Sequence, residues 1–265
     1  MTRGVLLFAF NTPQVDYYQM AVATAKRVNH FLDLPVSIVT DNETLDSVTD
    51  SYQFDSLHIV EKDQSNQKNK QVWINKGRYQ AYTLTPYDET LLLDTDYLIN
   101  SNQLLKAFDL CEDILAPNRT SFLDNPESVQ EEISKLSFNT LWATVIIFKK
   151  TLKAQQVFEC MEMVQNNYLH YSNIYNFIGG MYRNDYSLTI SLRIVNGHLD
   201  DNKDFLPWNL VHAAKDTKIY KVNDTEFNTE YLVMSRNTQK STYFLIKDID
   251  FHLLDKDNYM ELVNV

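Results

Sequence analysis

The sequence predicts an α/β protein with a central mixed, mostly parallel sheet flanked by helices, and three observations carry that expectation. Strand-like and helix-like stretches alternate from the first residues onward. Leu91 to Leu93 form a continuous apolar run of the kind needed by a strand buried on both faces. That run ends abruptly in two carboxylates, Asp94 and Asp96, and in open α/β sheets ligands gather just beyond the carboxyl ends of strands.

The alternation can be followed in order. Val5 to Phe10 reads as a strand, Tyr17 to Phe31 carries apolar residues at helical spacing, and Pro35 to Thr40 restarts a strand, giving a β-α-β opening. Leu57 to Val60 is a third short strand, and Glu61 to Lys70 is polar enough to be a loop before helix resumes at about Asn75. After the leucine strand, a helix capped near Ser101 leads to a strand over Asp113 to Ala116. Asp124 to Ser137 reads as a polar, flexible excursion, and the β-branched run Ala143 to Phe148 as another central strand. Thr151 can cap a long helix through Gln165, and Asn184 a second one from Asp185 to Val195, with Gly197 at its end. Lys218 to Val222, Tyr231 to Met234 and Tyr243 to Ile246 are short strands ahead of a tail, Asp250 to Val265. No Pro or Gly linker divides the last stretch from the rest, so one domain is expected.

Composition excludes several classes. With 265 residues, 44% hydrophobic and 12% aromatic, the chain can bury a sizeable core and is not a disordered polymer. No apolar run is long enough to span a bilayer, and the N-terminal segment lacks a small-residue cleavage site, so a cytoplasmic location is expected. Cys111 and Cys160 lie far apart in structured segments and read as buried thiols rather than a disulfide or metal pair. A net charge of -11 mildly disfavours nucleic acid as a partner. Nothing resembles a G-x-G-x-x-G or G-x-x-x-x-G-K phosphate cradle, and five glycines leave little backbone for one, so any phosphate must be held by metal and side chains. No G-x-S-x-G elbow supports covalent hydrolysis.

The acidic pair is the main candidate for chemistry. Residues i and i+2 of an extended segment point the same way, so Asp94 and Asp96 can face one point, and oxygen ligands of this kind suit Mn²⁺ or Mg²⁺. The pattern also arises by chance in an acidic chain; the leucines before it raise the metal reading. Phe10, Asn11 and Thr12 end the first strand with polar groups that either meet a nucleoside or form a plain turn. Asp41 ends the second and either receives a ribose hydroxyl or base amide or caps the next helix. Lys76 and Arg78 can place positive charge beside a diphosphate, Lys76 having solvated surface charge as its equal alternative. Gly179 and Gly180 supply adaptable backbone before Arg183, Asn184 and Asp185. Asp185 serves either a sugar or the dipole of its own helix. His252, among apolar neighbours, reads on local grounds as a packed histidine.

Taken together, Phe10-Asn11-Thr12, Thr40-Asp41, Asn75-Lys76-Gly77-Arg78, the run Pro86 to Asp96, Arg183-Asn184-Asp185 and His252 to Lys256 resemble a GT-A-type glycosyltransferase, most closely the small glycosyltransferase-like proteins of tailed bacteriophages. The acidic strand is the specific part; residues 117 to 140 and 200 to 240 match nothing in that pattern. The resemblance implies one GT-A-like, Rossmann-like domain over residues 1 to 265, with a nucleotide-sugar half over 1 to 116 and an acceptor half over 117 to 265. It implies a hexosyl- or pentosyltransferase, in the host cytoplasm if phage-encoded, moving a sugar from a nucleoside-diphosphate sugar to a hydroxyl of a glycan, a protein or a hydroxymethylated DNA base. Asp94, Asp96 and His252 would hold Mn²⁺ or Mg²⁺, Asp96 directly; Thr95 and Lys256 would join the donor site, and Asp185 would deprotonate the acceptor or orient the sugar. A sugar-nucleotide pyrophosphorylase shares sheet and acids but usually has a Gly-rich basic segment after its first strand, from which Phe10-Asn11-Thr12-Pro13 departs. A degenerate, non-catalytic nucleotide-sugar-binding module is the remaining alternative.

Overall fold

The computed structural model describes residues 1 to 263 apart from 50, 51, 69, 70, 75, 136, 178 to 180, 238 and 239. In chain order its elements are β1 (Arg3–Phe8), α1 (Tyr17–Leu32), β2 (Val36–Thr40), α2 (Asn42–Asp46), β3 (Leu57–Ile59), β4 (Gln67–Lys68), β5 (Gln71–Val72), a 3₁₀ turn (Arg78–Gln80), α3 (Ala81–Leu84) and β6 (Glu89–Leu93). There follow β7 (Tyr97–Leu98), α4 (Gln103–Leu110), β8 (Ile114–Leu115), β9 (Thr120–Phe122), β10 (Asn125–Val129), β11 (Val145–Lys149), α5 (Leu152–Asn166), α6 (Tyr168–Ile174) and α7 (Asn184–Val195). After a 3₁₀ turn (Asn202–Asp204) come β12 (Leu210–Ala213), β13 (Lys218–Lys221), β14 (Glu230–Asn237), β15 (Lys240–Lys247), β16 (Phe251–Leu253) and α8 (Lys256–Val263).

Six strands form the central sheet in the order β3-β2-β1-β6-β11-β8. β1 pairs in parallel with β2 and β6, β2 in parallel with β3, and β11 alone runs antiparallel, to both β6 and β8. This is the mixed, mostly parallel sheet expected from the alternation. All five residues of β2 and all five of β6 are buried, which is why their sequences are unbroken rather than alternating. One face packs on α1 and α4 through residues such as Val5, Leu91, Ala25 and Phe108; the other packs on α5 and α7 through Leu6, Leu92, Phe158 and Leu188.

The strand order fixes where a ligand crevice opens. Successive strands run from β1 outward to β3, whereas β6 lies on the other side of β1, so the order reverses between β1 and β6 and their carboxyl ends diverge there. Asn11 follows one of those ends and Asp94 the other.

A second sheet, β10-β9-β12-β16-β7, adjoins this region through β7, which directly follows Asp96. It contains the principal departures from expectation. Asn125–Val129 pairs antiparallel with β9 through a register shift instead of wandering as a loop. The tail is structured: Phe251–Leu253 inserts between β12 and β7, and α8 follows with Tyr259 and Leu262 buried. Asn184 is the first helical residue of α7, with Arg183 at the cap position. Gln67–Lys68, in the stretch read as loop, pairs antiparallel with Gln71–Val72 just beyond it. Cys111 and Cys160 are buried and free. Asn75, Lys70, Gly179 and Gly180, named above, lie outside the described residues.

Candidate functional site

Asp94 leaves β6 at the crevice, its backbone amide donating to Thr144 O at 3.0 Å and its carbonyl accepting from Tyr97 N at 3.2 Å. The resulting turn carries Asp96 to the start of β7, where Asp96 O accepts from Leu253 N at 3.0 Å. His252 is thereby fixed: β16 pairs antiparallel with β7, placing His252 opposite Tyr97, and parallel with β12, placing it beside His212. One ligand atom each from Asp94, Asp96 and His252 lies within 4.8 Å of the others.

The surrounding charges are arranged around that triad. Arg78 Nη1 donates to Asp94 Oδ1, and Lys256 Nζ donates to Asp96 Oδ2. Asp96 Oδ2 is also 3.1 Å from His252 Nε2. Burial alone would raise the Asp94 carboxyl, but Arg78 foremost, with His252 and Lys256, outweighs it and holds Asp94 below its ordinary value. Burial lowers the Lys256 ammonium to about 8, with Asp94 pulling the other way. Burial also lowers His252, against the upward pull of Asp94 and Asp185, so its imidazole is neutral and able to offer a lone pair. Two carboxylates and a neutral imidazole converging on one point fit a divalent cation of the Mn²⁺ or Mg²⁺ type.

The other expected residues divide into two groups. Asp185, in the first turn of α7, reaches the same neighbourhood: Oδ1 accepts from Ala143 N at 2.9 Å, one residue before the Thr144 carbonyl that holds Asp94 N. Its Oδ2 accepts from Arg183 Nη2 at 2.9 Å. Arg78 is buried, and its Nε and Nη2 have no hydrogen-bond partner among the described residues. Thr95 is buried in the turn, its carbonyl accepting from Thr24 Oγ1 at 2.8 Å.

On the β1 and β2 side, local structure takes up much of the polar capacity. Asn11 Oδ1 accepts from Tyr18 N at 2.9 Å, its Nδ2 donates to Ser47 Oγ at 3.1 Å, and Thr12 Oγ1 accepts from Val15 N at 3.1 Å. Phe10 packs in the core with Leu6 and Val39. Asp41 Oδ1 caps α2 through Thr44 N at 2.6 Å, while its buried Oδ2 has no hydrogen-bond partner among the described residues. Lys76 lies apart from the triad, donating to Ser65 Oγ at 2.6 Å and standing 3.7 Å from Asp63.

Three neighbours were not singled out by sequence. Lys62 Nζ donates to Asn11 O at 2.7 Å and stands 3.9 Å from Asp41 Oδ2, setting a cation at the β1–β2 edge. Tyr17, at the start of α1, has its phenol pushed up by burial and by the charge of Asp94. His212 lies against His252. The available signal for His212 was a lone histidine inside an apolar run, Leu210-Val211-His212-Ala213, matching the setting of His252 in Phe251-His252-Leu253.

No family model matches the chain, and no curated protein matches it. Among solved structures it is similar to the glycosyltransferase GlyE of Streptococcus pneumoniae TIGR4, with a TM-score of 0.42 at 12% identity, over 73% of this chain and 44% of that one. It is also similar to the galactosyltransferase LgtC in complex with donor and acceptor sugar analogs, with a TM-score of 0.46 at 14% identity, over 71% of this chain and 70% of that one. The chain thus spans less than half the length of GlyE. At these scores the likeness bears on no individual residue. No helix among the described residues is long and apolar enough to cross a membrane.

Proposed function

We propose that the protein is a metal-dependent glycosyltransferase that moves a sugar from a nucleoside-diphosphate sugar to a hydroxyl acceptor. The observation that supports this most is the convergence of Asp94, Asp96 and His252 within 4.8 Å at the reversal point of the sheet, with Arg78 and Lys256 beside them. Such a centre suits a diphosphate: the carboxylates and the imidazole would hold Mn²⁺ or Mg²⁺, and that ion would supply charge neutralisation for the departing nucleoside diphosphate. Arg78 has two nitrogens, Nε and Nη2, without a partner among the described residues and so open to phosphate oxygens, and Lys256 adds a cation that can pair with phosphate in place of Asp96.

In this reading residues 1 to 116 carry the donor. Asp41 Oδ2, buried and without a hydrogen-bond partner among the described residues, is the acceptor atom offered to a ribose hydroxyl or base amide. Asp185 faces the transferred sugar. Both of its oxygens already accept hydrogen bonds, from Ala143 N and Arg183, which favours orientation of the sugar over proton abstraction. The acceptor is assigned to the other half. A cavity of about 120 Å³ there is lined by Asn118, Arg119, Asn139, Thr189 and Arg193 among others, amide and guanidinium groups suited to hydroxyls. Thr189 is one helical turn from Asp185, and its Oγ1 accepts from Leu141 N at 2.7 Å.

The test is release of nucleoside diphosphate from a panel of nucleotide sugars with and without Mn²⁺. Metal-dependent release that falls about 100-fold or more in Asp96→Ala is expected; release indifferent to metal, or undiminished in that variant, refutes the reading.

A further inference from the structure

We propose that His212 is a positioning residue for the metal centre: its Nδ1 takes the Nδ1 proton of His252 as a hydrogen bond, leaving the His252 Nε2 lone pair facing Asp94 and Asp96. The inference rests on the metal reading above. Its basis is the parallel register of β12 with β16, which sets His212 directly beside His252 and points both side chains to one face of the sheet. The two Nδ1 atoms are 3.1 Å apart, and both rings are buried.

At that separation two neutral imidazoles share one proton, and only two arrangements satisfy the contact. In one, His212 carries it on Nδ1; His252 then has its proton on Nε2 and donates to Asp96 Oδ2, 3.1 Å away, with no lone pair for a cation. In the other, His252 carries it on Nδ1, its Nε2 is a bare lone pair, and His212 is protonated on Nε2. Both arrangements hold two protons, so the exchange between them changes no net charge. A divalent cation at Asp94 and Asp96 selects the second.

The surroundings of His212 favour that second arrangement. Its Nε2 is buried without a hydrogen-bond partner among the described residues. The rings packed on it are Trp142, at 4.7 Å between centroids, and Phe122, at 5.9 Å. Both rings are tilted to the imidazole, by 55° and 41°, and neither donates a hydrogen bond to Nε2; an aromatic environment can take up an N–H weakly but offers nothing to a bare lone pair. His212 thus stands to His252 as the outer partner that fixes the tautomer and ring orientation of a ligating histidine.

The experiment is Mn²⁺ titration of the full chain followed by electron paramagnetic resonance, with spin-echo modulation reporting directly bound nitrogen. Wild type should bind with a nitrogen coupling that His252→Ala abolishes. His212→Leu should weaken binding about 10- to 100-fold and diminish the coupling, whereas His212→Asn, whose amide oxygen can accept at the Nδ1 position, should restore most of both. A folded His212→Leu that binds Mn²⁺ like wild type overturns the proposal and leaves the metal reading intact. Folded wild type that binds no Mn²⁺ overturns the metal reading and the proposal with it. Should His212→Leu not fold, ¹⁵N spectra of wild-type imidazoles with Mg²⁺ decide: a proton on His212 Nε2 is expected, and one on His212 Nδ1 refutes the assignment.

Discussion

Arg78 separates the value of a charge from the value of a shape. Its guanidinium binds Asp94 through Nη1 and leaves Nε and Nη2 without a partner among the described residues, a division that a lysine ammonium on a flexible stem cannot reproduce. Arg78→Lys should therefore keep the net charge yet weaken nucleoside-diphosphate binding about 10-fold or more, the loss of one charge-assisted hydrogen bond, as measured by calorimetry in Mn²⁺. Unchanged affinity would place the diphosphate elsewhere. Gly4 makes a different case. A Cβ there would be driven into the Tyr87 ring, which is buried and held by its hydroxyl to Ser37 Oγ at 2.7 Å. Gly4→Ala should cost about 1–3 kcal/mol in urea unfolding. Among single residues, the acids of the site were legible because Asp94 and Asp96 are neighbours on one strand end. Asn11 and Asp41 were legible only as polar strand ends. Whether such a group meets a ligand or a turn is decided by partners such as Tyr18 N and Thr44 N, and sequence order does not announce which will win. His212 was missed for the same reason: its apolar setting matched that of His252, but its meaning comes from a residue 40 positions away.

Elements whose causes are local were read well, and α5 is the clearest. Thr151 sits in extended conformation and its hydroxyl accepts from Ala154 N at 3.3 Å, while Ala154, Val157, Phe158, Met161 and Val164 recur at helical spacing on the buried face. Thr151→Ala should lower stability by about 1 kcal/mol, read as a reduced urea midpoint with an unchanged slope; no shift would mean that tertiary packing alone fixes the start of α5. Elements stabilised by distant partners were not read. All five residues of β10 are exposed and its pairing with β9 is irregular, so nothing in its composition distinguishes it from a loop. β16 is three residues long, and its strand character comes from being wedged between β12 and β7. A run of that length carries no periodicity to read, although it carries His252 of the candidate site.

At the scale of the whole molecule, the site is closed by joining the chain's far ends. Asp94 and Asp96 come from the first half, while His252 and Lys256 arrive on the final strand and helix, which α1 holds in place: Thr24 Oγ1 bonds Tyr259 Oη at 2.8 Å. Thr24 Oγ1 also donates to Thr95 O in the acidic turn, and buried Arg27 on the same helix reaches Ile99 O at 2.6 Å, just after β7, and Asn228 O at 3.1 Å, just before β14. The candidate ligand set therefore exists only in the assembled fold, since His252 lies 156 positions beyond Asp96 in the chain and Asp94 is two residues further still. A cation that binds this set stabilises the folded state by mass action, by about 2.7 kcal/mol at 100 times its dissociation constant. Mn²⁺ should consequently raise the melting temperature of wild type, and the rise should vanish in Asp96→Ala. A chain cut after Asp250 loses the same rise together with the buried anchors Phe251, Tyr259 and Leu262, so it should melt lower even without metal. An equal Mn²⁺-dependent rise in wild type and Asp96→Ala would mean that the cation binds outside the triad.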